Sequence, residues 1–151
     1  MNANAAEVPL SQPLYGATFG QAVSRYFKKY ATFSGRASRS EYWWVQLFLV
    51  LVYLIPAILI GIGTTAVISS DPGADVLDMT QNGVAVFGSI LSVVMALAFV
   101  IPSLALVWRR LHDVNLGGPF WFLNLIPGGS IVVLVMTLLP SNPMGVRFDR
   151  S

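Results

Sequence analysis

"VQLFLVLVYLIPAILIGIGTTAVI", residues 45–68, decides the fold. The run carries no charge. Wound as a helix at 1.5 Å per residue it reaches about 36 Å, enough for a hydrocarbon core of about 30 Å. Pro56 and Gly61 mark places where it can kink. Just ahead of it stand Tyr42, Trp43 and Trp44, the aromatic belt expected where a span meets the membrane interface.

Two further apolar runs follow. Residues 83–107 are again uncharged, and residues 119–139 are apolar but broken near the middle by Pro127, Gly128 and Gly129. Over all 151 residues, 55% are hydrophobic and only 11% charged, against about 25% charged in a soluble domain. The fold class predicted is an all-α integral membrane protein with about three transmembrane helices, spanning about 45–68, 83–107 and 119–139. The third run has about the 20 residues a crossing needs, so it is predicted to cross and to leave the C-terminus outside. The alternative is a re-entrant hairpin turning at Pro127-Gly128-Gly129, which returns the tail to the cytoplasm. Broken backbone at membrane depth must be buried in protein.

Residues 1–17 are aperiodic, without a charged stretch followed by an apolar core, and are expected to form a mobile tail rather than a signal peptide. Residues 18–30 are different. Phe19, Ala22, Val23, Tyr26, Phe27 and Tyr30 share one helical face, with Gln21, Arg25, Lys28 and Lys29 on the others. Thr18 and Gln21 match a T-x-x-Q capping box. An amphipathic interfacial helix in the headgroup layer is predicted; packing on the rest of the protein is the alternative. Residues 18–145 then form a single helical membrane domain, with a short C-terminal tail over 146–151.

Orientation follows the distribution of Lys and Arg. Arg25, Lys28, Lys29, Arg36 and Arg39 precede the first span, and Arg109 and Arg110 follow the second. The loop between the spans has Asp71, Asp75 and Asp78 and no cation. The N-terminus and the second connection are therefore expected in the cytoplasm. Small residues let helices approach in lipid. Ala57, Gly61 and Thr65 in the first span, and Gly88, Ser92 and Ala96 in the second, are the predicted helix–helix contact.

With no cysteine and one histidine, thiol chemistry, disulfides and a multi-histidine metal cage are excluded. No metal and no cofactor are expected, nor a nucleic-acid partner. Charge-free spans also argue against an ion-coupled transporter.

Two polar clusters remain. In "SGRASRSEYWW", residues 34–44, Ser38 and Glu41 form an S-x-x-E capping box, and Arg36 and Arg39 suit lipid phosphates. In "WRRLHDVN", residues 108–115, Arg109 and Arg110 suit a helix C-terminus, and Asp113 lies within pairing reach. Both clusters fall on one membrane face. Arg36, Arg39, Glu41, Arg109, Arg110, His112, Asp113 and Asn115 are predicted to converge into a polar collar. Its reading as ion pairs locking helix ends stands beside its reading as an anion or lipid-headgroup site. No catalytic residue is assigned.

Together the clusters resemble the small bacterial inner-membrane proteins of domain-of-unknown-function family 805, the YhaH-like proteins. The pattern F-x-G-R-x-S-R-x-E-Y-W is carried by Phe33, Gly35, Arg36, Ser38, Arg39, Glu41, Tyr42 and Trp43. The pattern R-R-x-H-D-x-N is carried by Arg109, Arg110, His112, Asp113 and Asn115. Gly117 to Trp121 depart from the family's usual turn, and Met144 replaces the aromatic of a late N-x-aromatic-G element at Asn142 and Gly145. The resemblance implies a multi-pass bacterial inner-membrane protein and no activity. The expected function is a non-enzymatic accessory or interaction protein, with lipid bilayer, anionic headgroups, a second copy or another membrane protein as partners. The alternatives are a binding or transport component for an anionic lipid or small anion, and a membrane enzyme acting on a lipid.

Overall fold

The structure, a computed structural model, describes residues 8–149, and all regular structure among them is helical. The helices are α1 (Phe19–Lys28), α2 (Arg39–Ser70), α3 (Val76–Gln81), α4 (Gly83–Asp113) and α5 (Gly129–Leu138), with 3₁₀ segments at Gly118–Leu125 and Pro143–Phe148. α2 and α4 are long and apolar enough to cross a membrane, and only 11% of the most apolar window of each is buried. A soluble protein's core helix would hide that surface, so these two helices suit lipid. The chain divides into two compact units: residues 48–100, and the parts before and after them together.

In the 48–100 unit, α2 turns Pro56 and Gly63 inward, with Tyr53, Ile60 and Val67 partly covered; α4 turns Ala85 and Gly88 inward, with Ser92, Met95 and Phe99 partly covered. A Cβ at Gly63 would lie 2.7 Å from the Ala85 Cβ, and one at Gly88 would lie 3.0 Å from Ile60 and Leu59. Phe99 meets Phe48 and Tyr53 edge-on at 6.2 and 6.3 Å. Of the six residues predicted for this contact, two take part in it. Gly88 and Ser92 face the partner helix, but Ala57, Gly61, Thr65 and Ala96 are exposed, and nothing lies within 4 Å of a Cβ at Gly61. Gly63 sits two residues on, about 200° around the helix. The connection between α2 and α4 holds α3, capped by Asp75, whose carboxylate accepts from Leu77 and Asp78 N–H while Asp78 returns the bond.

In the other unit, Thr18 and Gln21 form the predicted capping box of α1. The buried face of α1 differs from the one predicted. Ala22, Arg25 and Tyr26 are buried, followed by Lys29, while Phe19, Phe27 and Tyr30 are 38–44% exposed. Arginine and lysine stems are apolar enough to pack when their heads find partners, and the partners lie on this side. Residues 8–17, expected within the tail, hold Leu14 and Ala17 buried; residues 1–7 lie outside the described part.

The third apolar run makes a hairpin. The 3₁₀ segment leaves the end of α4, the chain turns at Gly128 in the left-handed region (φ 81), and α5 packs back along the segment it came from. Ten residues of α5 span about 15 Å, half a hydrocarbon core. Both ends of the hairpin meet the end of α4: Arg110 donates to the Thr137 and Leu139 carbonyls, and Asn142 N–H donates to the Asp113 carbonyl at 2.8 Å. Two helices among the described residues are long and apolar enough to cross a membrane, so the predicted third crossing is not confirmed, and the Pro-Gly-Gly break is the turn of a hairpin. Gly129 allows the close pass, since a Cβ there would collide with the Leu123 carbonyl.

Candidate functional site

The site is the polar cluster in the unit that holds α1, the start of α2 and the end of α4. It is built around a sewn segment. Gly35, at φ 80, passes so close to residue 11 that a Cβ would sit 2.5 Å from the Ser11 carbonyl oxygen. Gly35 N–H donates to Phe148 O, Arg36 N–H to Ser11 O, and Ala37 N–H to Arg109 O. The main chain of the first motif thus binds the second motif and the C-terminal segment before any side chain acts.

Ser38 and Glu41 form the predicted box. Glu41 N–H donates to Ser38 Oγ at 3.2 Å and Ser38 N–H to Glu41 Oε2 at 2.9 Å. Glu41 does more. Its Oε2 also accepts from Leu14 N–H, and its Oε1 accepts from Arg25 Nε at 2.5 Å. The Arg25 guanidinium then donates to the carbonyls of Val8, Pro9 and Gln12. Helical spacing puts Arg25 on the polar side of α1 and outside the predicted collar; spacing alone does not show that its partner comes from α2.

Asp113 is the second node, with no exposure. Its Oδ2 accepts from Arg110 Nη1 at 2.5 Å and from Ser141 Oγ, and its Oδ1 from the Tyr15 hydroxyl at 3.1 Å. Burial holds the Tyr15 phenol above its ordinary range, which suits a donor. Arg36 Nη1 lies 3.7 Å from Asp113 Oδ1. Its Nε and Nη2 fork onto Asp149 at 2.8 and 2.7 Å, which raises the guanidinium's pKa further. Tyr15, Ser141 and Asp149 carry no sequence signal: Ser141 and Asp149 depend on the hairpin's return, and Tyr15 on how the N-terminal segment meets the end of α4.

His112 Nδ1 lies 3.0 Å from the Gly35 carbonyl, and its ring stacks on Phe148 at 4.0 Å. Asn115 ends α4 in the left-handed region (φ 64). Its carbonyl accepts from Arg147, and its Oδ1 is buried without a partner. Gly145 packs where a Cβ would lie 2.5 Å from the His112 carbonyl oxygen. Arg109 is buried, with Nε on its own helix at Ala105 O and Nη2 unpartnered. Arg39 stands apart: exposed, it donates among the described residues to the Leu139 carbonyl. It edges a recess of about 280 Å³ with Tyr15, Ser38, Ser40 and Ser141. The structure therefore brings Arg36, Glu41, Arg109, Arg110, His112, Asp113 and Asn115 into one unit, with Arg39 at its rim. Among the described residues no group of His, Asp and Glu is arranged to hold a metal.

The second motif's Arg110 and Asp113 clasp the hairpin while the first motif's Arg36 clasps the C-terminal segment, and a sequence profile joins these parts as well. The family described as "Protein of unknown function (DUF805)" matches residues 30–150. The chain belongs to this family. It is also 34% identical over 109 residues to "Inner membrane protein YhaI" of Escherichia coli strain K12, covering 72% of this chain and 75% of that protein, and equally to the same protein of strain O157:H7. No solved structure matches.

Proposed function

We infer that this DUF805 protein is an integral protein of the bacterial inner membrane, crossing it at α2 and α4, with the polar cluster at the cytoplasmic face. On this reading the hairpin of residues 118–138 enters from that face and returns to it, leaving the C-terminus with the N-terminus. α1 lies in the headgroup layer, its exposed Phe19, Phe27 and Tyr30 toward lipid. The protein works without catalysis, as an accessory or scaffold subunit that binds another membrane protein or a second copy.

One observation carries the non-catalytic reading. Asp113 and His112, the pair a lipid-processing enzyme would need for acid–base work, are already engaged inside the fold by Arg110, Tyr15, Ser141 and the Gly35 carbonyl. Glu41 is likewise filled by Arg25, Leu14 and Ser38. A general base must reach its substrate's proton; these groups reach each other. The anion-site alternative keeps two supports among the described residues: the exposed guanidinium of Arg39, which has no carboxylate partner, and the buried, unpartnered Nη2 of Arg109.

Native mass spectrometry of protein extracted gently from membranes separates the two. The expected result is bare protein or a protein partner, unchanged in Arg39→Gln. A discrete small anionic mass, retained by the wild type and lost in Arg39→Gln while the oligomer persists, would replace this reading with the anion site.

A further inference from the structure

Lys29 belongs to neither motif, yet it is the most unusual ionisable group in the molecule. It follows the last turn of α1, and its side chain is only 1% exposed. Its ammonium makes one long hydrogen bond, 3.4 Å to the Arg36 carbonyl, and among the described residues it has no ion pair. The charges that face it come from every element around it: Glu41 of α2, Arg109 of α4, Arg25 of α1 and Asp149 of the C-terminal segment. Both acids are taken, Glu41 by Arg25 and Asp149 by Arg36. Arg109 is itself buried with an unpartnered Nη2.

A charged Lys29 is thus a third buried cation beside a carboxylate that already holds one. An arginine keeps its proton under such conditions, whereas a lysine can shed it. Burial is the main cause; Glu41 and Asp149 oppose it and the guanidiniums of Arg109 and Arg25 add to it, and the lysine falls from 10.5 to about 7. Lys28, the residue before it, is exposed.

We propose that Lys29 is a proton-operated latch for α1: neutral, it seats the C-terminal end of that helix in the polar cluster, and protonated, it releases residues 26–33 toward water. Release would carry Arg25 with it and loosen its hold on the Val8, Pro9 and Gln12 carbonyls. The latch is a property of the fold alone; reading its proton as a cytoplasmic one rests on the orientation inferred above.

The chain's lysines are Lys28 and Lys29, which makes the test direct. Full-length protein carrying ¹³C-lysine and ¹⁵N backbone, in lipid nanodiscs, is titrated by NMR from pH 5.5 to 10.5, with Lys28→Arg to assign the signals. The expected result is a lysine signal titrating near pH 7 that persists in Lys28→Arg. Amides of residues 26–33 should shift or broaden over the lower transition, in the wild type and in Lys28→Arg. Histidines ordinarily titrate in the same range, so the amide response must vanish in Lys29→Met, where His112 remains. Two lysines titrating above pH 9.5, a neutral-range transition without movement of residues 26–33, or a response that survives in Lys29→Met would each overturn the latch. The wild-type titration decides the first two even if Lys29→Met fails to fold.

Discussion

At the residue scale the cluster rests on two carboxylates, Glu41 and Asp113, each buried and each answering several donors. Removing the charge of a buried partner leaves the other stranded, a loss of about 3–5 kcal/mol. Asp113→Asn should accordingly lower the melting temperature in detergent far more than Asp78→Asn, which alters only the exposed cap of α3; equal shifts would mean the Arg110–Asp113 pair adds nothing. Stability should also depend on pH through Lys29. Its folded-state pKa, about 7, lies below the ordinary 10.5. Between those values the unfolded chain binds the extra proton, so stability rises with pH across pH 7 to 10.5. Lys29→Met should flatten that rise in thermal melts, and an unchanged slope in the variant would assign it elsewhere.

At the element scale the helices show where patterns mislead. Small residues recur every four positions on one side of α2, at Ala57, Gly61 and Thr65, yet the side that meets α4 is the one with Gly63, between Leu59 and Val67. Glycines that admit another backbone cannot take a large side chain without overpacking, at about 1–3 kcal/mol. Gly63→Leu and Gly88→Leu should therefore depress thermal stability clearly, while Gly61→Leu should leave it unchanged. A Gly61→Leu variant as damaged as Gly63→Leu would reverse the assigned face. α1 misleads in a similar way. Aromatic residues mark its apolar side, but its buried side holds Arg25 and Lys29, because the carboxylate and carbonyls that satisfy them come from α2 and from residues 8–36.

At the scale of the whole molecule the hairpin sets the topology. On the proposed orientation, with both ends of residues 118–138 held at the end of α4, the C-terminus is expected on the same side as Arg109 and Arg110. A fluorescent reporter fused after Ser151 should fold and glow, as it does only in the cytoplasm, and an alkaline phosphatase fusion at the same place should be inactive. The opposite pattern would restore a third crossing. The clasp of Arg36 on Asp149 and of Arg110 on the Leu139 carbonyl draws the C-terminal segment into the cluster. The cluster thus acts as a fold lock across segments far apart in the chain.

The sequence by itself determined the helical class, the two long apolar helices, the capping boxes at Thr18 and Ser38 and the convergence of both motifs. These follow from composition, length and local spacing, which act through backbone geometry and solvent alone. Tertiary structure decided the rest: which face of α2 meets α4, that the Pro-Gly-Gly break is a turn, and that Tyr15, Arg25, Lys29, Ser141 and Asp149 join the cluster. Those outcomes depend on partners distant along the chain, and a periodic pattern can say that a face will be covered without saying what will cover it.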